Sequence, residues 1–271
     1  MQSTCKNILA HLGVVVAVAC VGACGKISTT DPVENVVVTS VQVAMQNYAQ
    51  NCSACHGANG VNGAARPLAD ANYLASVGRD ALINIATNGV PGGFCPGFGP
   101  NSLGKWIPMP KPEQDPKQDA ENKVNQDPKQ VAEEKARQDK EEKAKRVPNL
   151  VDGMLDAWGK NGVALSIPWS VTSAPAGNAS NGQAVYAATC QSCHGAPNFK
   201  GVTGAGSVTD PNYLRLITDQ GLRSAILFGR PERGMPGWSG PFPHQAVDRK
   251  LSSQEISDVV VFLRSTASQK Q

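Results

Sequence analysis

The sequence predicts a mainly helical protein made of two similar halves. Residues 70–98 align without a gap onto residues 210–238, so the chain contains an internal repeat. Each half ends in a segment whose apolar residues recur at steps of three and four, as on the buried face of a helix. A short cysteine and histidine motif also occurs once in each half. The chain of 271 residues is long enough for two small domains.

The cysteine and histidine motifs occupy residues 52–56 and 190–194. Two cysteines separated by two residues and followed directly by histidine form the attachment signature of a c-type haem. The thiols bond to the two vinyl groups, and the histidine becomes the proximal ligand of the iron. A disulfide or half of a zinc site is the weaker alternative, because the pattern occurs twice with a glycine after each histidine. The sequence therefore predicts two covalent haem c groups, held by Cys52, Cys55, His56, Cys190, Cys193 and His194.

Helices are predicted before each motif and at the end of each half. The first entry helix covers 41–50, and Tyr48 and Tyr186 both lie four residues before the first cysteine of their motif. In the second half, Ser252 and Glu255 have the spacing of a capping box. The buried stripes of the closing helices are Leu150, Val151, Met154, Leu155 and Trp158, and then Ile256, Val259, Val260 and Leu263.

A charged insertion at 111–146 has no counterpart in the second half. It carries ten basic and ten acidic residues and therefore no net charge. Asp127 as N-cap and Pro128 at the first position predict a solvated helix to about Arg146. Val147 precedes Pro148 and is therefore biased away from helix. A solvated spacer is favoured over a docking role.

The N-terminus has the features of an export signal. Residues 1–23 are weakly basic and then mostly apolar, but the apolar stretch is short for a bilayer span. The segment 21–24 resembles a bacterial lipobox, so we expect Cys24 to carry lipid and to anchor the protein to a membrane surface. Cleavage of the signal without lipid attachment is the alternative. The predicted divisions are a tether at 24–40, domains at 41–160 and 180–266, and a linker at 161–179.

The sixth iron ligands are predicted to differ between the two haems. Met235, in a Gly-Met-Pro loop, is the candidate for the second haem. The repeat places Cys95 at the corresponding position of the first half, and Cys95 has no remaining cysteine partner. Met109, between two prolines, has the local sequence of a methionine ligand loop. A thiolate would lower the potential of the first haem and a thioether would raise it.

With two Cys-x-x-Cys-His motifs, a Met-Pro loop and closing helices, the chain resembles a tandem class I c-type cytochrome. The resemblance implies an all-α fold, two haem domains, and one-electron transfer with redox proteins of the cell envelope. The export signal and the lipobox-like segment predict a location in the periplasm or at the outer membrane. The alternative function is a dihaem oxidoreductase of the thiosulfate dehydrogenase type, with a cysteine-ligated catalytic haem. A net charge of +3 without a basic aromatic cluster gives no indication of nucleic-acid binding.

Overall fold

A computed structural model describes residues 39–109, 127–197, 205–240 and 249–268. These described residues belong to one compact unit. The described residues form ten α-helices and contain no β-strand, which confirms the all-α fold. No helix in these ranges combines the length and the apolar character that crossing a bilayer requires. Cys24, the predicted signal and most of the tether lie outside the described residues, as does the part 111–126 of the predicted insertion.

The helices follow the same order in the two repeats. The first repeat contains α1 (Ser40–Asn51), α2 (Ser53–His56), α3 (Ala71–Val77), α4 (Arg79–Asn88) and α5 (Pro128–Trp158). The second contains α6 (Ala179–Thr189), α7 (Gln191–His194), α8 (Pro211–Leu216), α9 (Asp219–Phe228) and α10 (Ser253–Ser268). Short 3₁₀ helices cover Val171–Ser173 and Pro231–Arg233.

Small residues allow the entry and closing helices to cross closely in both repeats. A Cβ atom on Gly153 of α5 would lie 2.0 Å from the Cβ atom of Ala44 on α1. A Cβ atom on Gly182 of α6 would lie 2.0 Å from the backbone oxygen of Asp258 on α10. The glycine is therefore on the closing helix in the first repeat and on the entry helix in the second.

Helix α5 continues through the position where the sequence predicts a break. Pro148 lies inside this helix, so the predicted insertion helix and the first closing helix are one element. Proline removes one backbone hydrogen bond, but the buried side chains of Val147, Leu150 and Val151 pack into the core around it. Tertiary packing supplies most helix stability in proteins, so it outweighs the local preference.

The predicted linker is hydrogen-bonded to both repeats. The backbone N–H of Val163 donates to Asn72 Oδ1 over 2.9 Å in the first repeat. On the other side, Arg223 of α9 is only 1% exposed and donates from Nε to the carbonyl of Pro168 over 3.1 Å. The same guanidinium donates to Ser253 Oγ over 2.9 Å, so it joins the linker, α9 and α10. These contacts hold the segment against both repeats.

The predicted capping box at the start of α10 is present and should make stability depend on pH. The N–H of Ser252 donates to Glu255 Oε2 over 2.8 Å, and Arg249 donates to Oε1 over 2.7 Å. Burial raises the pKa of Glu255, but these hydrogen bonds outweigh it and leave the pKa below its ordinary 4.5. The unfolded chain therefore takes up this proton first, and the stabilisation present above pH 4.5 is lost as the pH falls through the folded pKa.

We expect Glu255→Gln to cost about 0.5–1 kcal/mol of unfolding free energy at neutral pH. The difference from the wild type should shrink at about pH 3, because protonation of Glu255 removes the charge that the folded state stabilises. Urea unfolding of both proteins at neutral pH and at about pH 3 measures the difference in unfolding free energy. An equal difference at both pH values would show that the charge of Glu255 has no part in the effect.

Candidate haem-binding sites

Each Cys-x-x-Cys-His motif is carried by the end of an entry helix and a one-turn helix after it. Cys52 closes α1 by donating its N–H to the carbonyl of Tyr48 over 2.8 Å, and its own carbonyl accepts from His56 N–H over 3.0 Å. The second motif repeats this pattern at Cys190, with the corresponding distances both 2.9 Å. The two motifs therefore have the same backbone arrangement.

The motif cysteines differ in their exposure to solvent. Cys52 and Cys190 are half-buried, whereas Cys55 and Cys193 are exposed. Burial raises the pKa of Cys52 to about 12, and the nearby thiols of Cys95 and Cys55 add to this effect. Within the described ranges, no group of three histidine, cysteine or acidic side chains could hold a bare metal ion. Two cysteines per motif, with no further ligand group beside them in these ranges, fit attachment to two vinyl groups better than they fit a zinc site.

Both motif histidines are oriented by a backbone carbonyl. Nδ1 of His56 lies 2.6 Å from the oxygen of Arg66, and Nδ1 of His194 lies 3.1 Å from the oxygen of Gly206. Because a carbonyl only accepts, Nδ1 carries the proton and Nε2 keeps the lone pair that an iron ligand needs. Burial lowers the pKa of His56 despite this hydrogen bond, so its imidazole is neutral at pH 7.

A tyrosine in each entry helix fixes the end of the motif. The hydroxyl of Tyr48 donates to the carbonyl of Gly57, and that of Tyr186 donates to the carbonyl of Gly195, each over 2.7 Å. Both glycines have positive φ angles, 87° and 78°, a conformation that a side chain would strain. The Tyr48 ring also meets Trp158 of α5 edge-on, with centroids 4.9 Å apart. The spacing of the tyrosines is visible in the sequence, but their role in orienting the motif is not.

The loops after α4 and α9 have matching backbone hydrogen bonds. Val90 N–H donates to the Cys95 carbonyl over 3.3 Å, and Arg230 N–H donates to the Met235 carbonyl over 2.9 Å. In both loops a second bond of 2.9 Å follows, from Phe98 to Ala86 and from Trp238 to Ile226. Cys95 and Met235 therefore occupy corresponding positions in the two repeats.

The segment that carries Met109 also lies near the first motif. Ile107 N–H donates to Asn51 Oδ1 over 2.7 Å, and Asn51 Nδ2 donates to the carbonyl of Ile107 over 3.2 Å. Asn51 directly precedes Cys52, and the side chain of Met109 is half-buried. Both alternative ligands are thus brought toward the first motif.

A cavity of about 410 Å³ borders Cys95. Its lining includes Phe94 and Leu103, which are 78% and 92% exposed. The corresponding part of the second repeat is only partly described, since residues 241–248 lie outside the described ranges.

The thiols, the histidine tautomers and the glycine turns fit a covalent haem. A helical chain with these motifs at the ends of its entry helices, crossed by closing helices, defines the class of c-type cytochromes. The family model described as cytochrome c oxidase, cbb3-type, subunit III matches residues 40–105 and 177–263, more than half of the chain, and the protein belongs to this family. It is therefore an electron-transfer cytochrome with covalently bound haem c, a class whose domains are typically exported to the periplasm. A search of curated proteins found no match.

Proposed function

We propose that the protein is a dihaem cytochrome c that carries single electrons between redox proteins of the cell envelope. The first haem is attached to Cys52 and Cys55, and the second to Cys190 and Cys193. Bound haem iron supplies a ferrous–ferric couple that takes up or releases one electron. The observation that carries the proposal is the equal construction of the two motifs, in which His56 and His194 are each oriented by a carbonyl.

The proposed proximal ligands are His56 and His194, and Met235 is the proposed sixth ligand of the second haem. For the first haem we propose Cys95, with Met109 as the alternative. The matching backbone of the two ligand loops supports Cys95. The family match to residues 40–105 also includes Cys95 and ends before Met109.

The proposed location is the periplasmic or outer-membrane surface, with lipid on Cys24 as the anchor. The lipobox-like segment 21–24, after an apolar signal, supports this. Because the matching family is described as a subunit of a cytochrome c oxidase, such an oxidase is the first electron acceptor to test.

The cavity beside Cys95 favours one alternative function, oxidation of thiosulfate at a cysteine-ligated haem. A cavity of this volume, bordered by Cys95 and by the exposed side chains of Phe94 and Leu103, would let a small anion approach the proposed sixth ligand. Steady-state thiosulfate oxidation with ferricyanide as acceptor tests this function. Turnover that disappears in Cys95→Ser would support it, and absence of turnover in the wild type would exclude it.

The dihaem assignment predicts the haem content of motif variants. We expect two haems per chain in the wild type. A motif without thiols cannot form thioethers, so each double variant should keep one haem. The two variants are Cys52→Ser with Cys55→Ser, and Cys190→Ser with Cys193→Ser. A haemochrome assay on protein of known concentration measures the ratio. Cys95→Ser is the control and should keep both haems. One haem in the wild type would contradict the proposed function.

A further inference from the structure

The two repeats meet through surfaces that do not correspond to each other. The first repeat contributes the loop after its motif and the start of α3, and the second contributes α9 and its ligand loop. The rings of Tyr73 and Phe228 pack edge-to-face with centroids 5.3 Å apart. Tyr73 is 8% exposed, whereas Tyr213, its equivalent in the second repeat, is 37% exposed. The contact is therefore heterologous: the motif side of one repeat faces the ligand side of the other.

Arg66 lies at the centre of this contact and forms hydrogen bonds with residues of both repeats. Its carbonyl oxygen accepts from Nδ1 of His56 over 2.6 Å. Its Nη1 donates to the carbonyl of Ser224 on α9 over 3.0 Å, and its Nη2 donates to Asp70 over 2.8 Å. The guanidinium lies 4.6 Å from the ring centre of Tyr73 and 4.7 Å from that of Phe228. One residue thus connects the proximal histidine of the first site to the second repeat.

The guanidinium of Arg66 is largely removed from water. Its side chain is only 15% exposed, and its Nε has no hydrogen-bond partner among the described residues. Burying a charge is costly unless it is paired and hydrogen-bonded. The fork of two donors and the two aromatic faces provide this compensation, which a lysine ammonium would not reproduce.

A second set of contacts joins the loop after the first motif to the ligand loop of the second repeat. Arg230 and Arg233 donate to the carbonyl of Gly63 over 2.9 and 3.0 Å. Arg230 also exchanges two backbone hydrogen bonds with Met235. Gly63 packs so closely on the first motif that a Cβ atom would lie 2.2 Å from the carbonyl oxygen of Cys55. The ligand loop of the second repeat is therefore fixed to the attachment motif of the first.

We propose that Arg66 is a positioning residue that couples the two haem sites into one rigid electron-transfer unit. Its carbonyl orients His56, and its guanidinium holds that loop against α9, the helix that leads into the ligand loop carrying Met235. The guanidinium also offsets the charge of Asp70. Without it, the unpaired carboxylate would favour the ferric state of an iron held by His56, because the ferric state has one positive charge more than the ferrous state. Arg66 therefore raises the potential of the first haem. This inference rests on the two haems of the proposed function.

The test compares Arg66→Gln and Arg66→Lys with the wild-type holoprotein. Arg79→Gln is the matched control, because Arg79 pairs with Asp152 inside the first repeat. Haem content is measured first, then both potentials by spectroelectrochemical titration, and then the rate of electron exchange between the haems after rapid reduction by one electron. Arg66→Gln should lower the potential of the first haem and lose the fast exchange phase. Arg66→Lys should keep a potential close to the wild type but slow the exchange, since one ammonium cannot bridge Ser224 and Asp70 as the fork does.

Unchanged potentials and exchange rate in Arg66→Gln, with two haems bound, would overturn the inference and leave the proposed function intact. If Arg66→Gln loses haem, Arg66→Lys decides, and a wild-type exchange rate in that variant overturns the inference. A single haem in the wild type would instead overturn the proposed function. An equal loss of exchange in Arg79→Gln would assign the effect to general destabilisation and also overturn the role of Arg66.

Discussion

Gly182→Ala should destabilise the second repeat by roughly 2–3 kcal/mol, although alanine is the better helix former. The added Cβ atom would lie 2.0 Å from the oxygen and 2.4 Å from the carbonyl carbon of Asp258. These are backbone atoms of α10, so they cannot rotate away, and the two helices would have to separate. Chemical unfolding followed by circular dichroism measures the change.

The control for Gly182→Ala is Ala184→Gly on the exposed face of the same helix. It should cost only about 1 kcal/mol, from helix propensity alone. A stabilised Gly182→Ala variant would show that the two helices do not cross as closely as described.

The first repeat offers an internal check of the same explanation. Gly153→Ala should also destabilise, because its Cβ atom would lie 2.0 Å from that of Ala44. Adding Ala44→Gly removes the opposing atom and should restore much of the lost stability, so the two changes should not be additive. Additive losses would mean that the clash between these two atoms is not the cause.

The second large effect should follow from removal of the sixth ligands. Met235→Leu should leave both haems attached but change the low-spin signal of one of them in low-temperature EPR, because leucine cannot donate to iron. Its potential should fall, since a thioether opposite imidazole favours the ferrous state. Met45→Leu in α1 is the matched control and should leave both signals unchanged.

The same spectra decide between the two candidates for the first haem. We expect Cys95→Ser to change the remaining low-spin signal and Met109→Leu to leave it unchanged. Thiolate ligation would also give this haem the lower potential of the two. If Cys95→Ser left both signals unchanged and Met109→Leu altered one, Met109 would be the ligand.

The sequence by itself determined the features that depend on short spacing along the chain. The motifs at 52–56 and 190–194 are read directly, since attachment to one macrocycle requires fixed spacing. The capping box at Ser252 and Glu255 was predicted and is present, because it involves residues one helical turn apart. The buried stripes of the closing helices follow from helical periodicity in the same way.

Only the tertiary structure decided the features that depend on distant partners. The continuation of α5 through Pro148 follows from burial of Val147 and Leu150, which outweighs the local preference for a break. The position of Arg66 between the two repeats could not be predicted, because its contact with Ser224 joins residues far apart in the chain. The internal repeat also gives no hint of it, since Gly206 provides the corresponding carbonyl and has no side chain. Local interactions specify the helices and motifs, whereas packing between the repeats specifies how the two sites face each other.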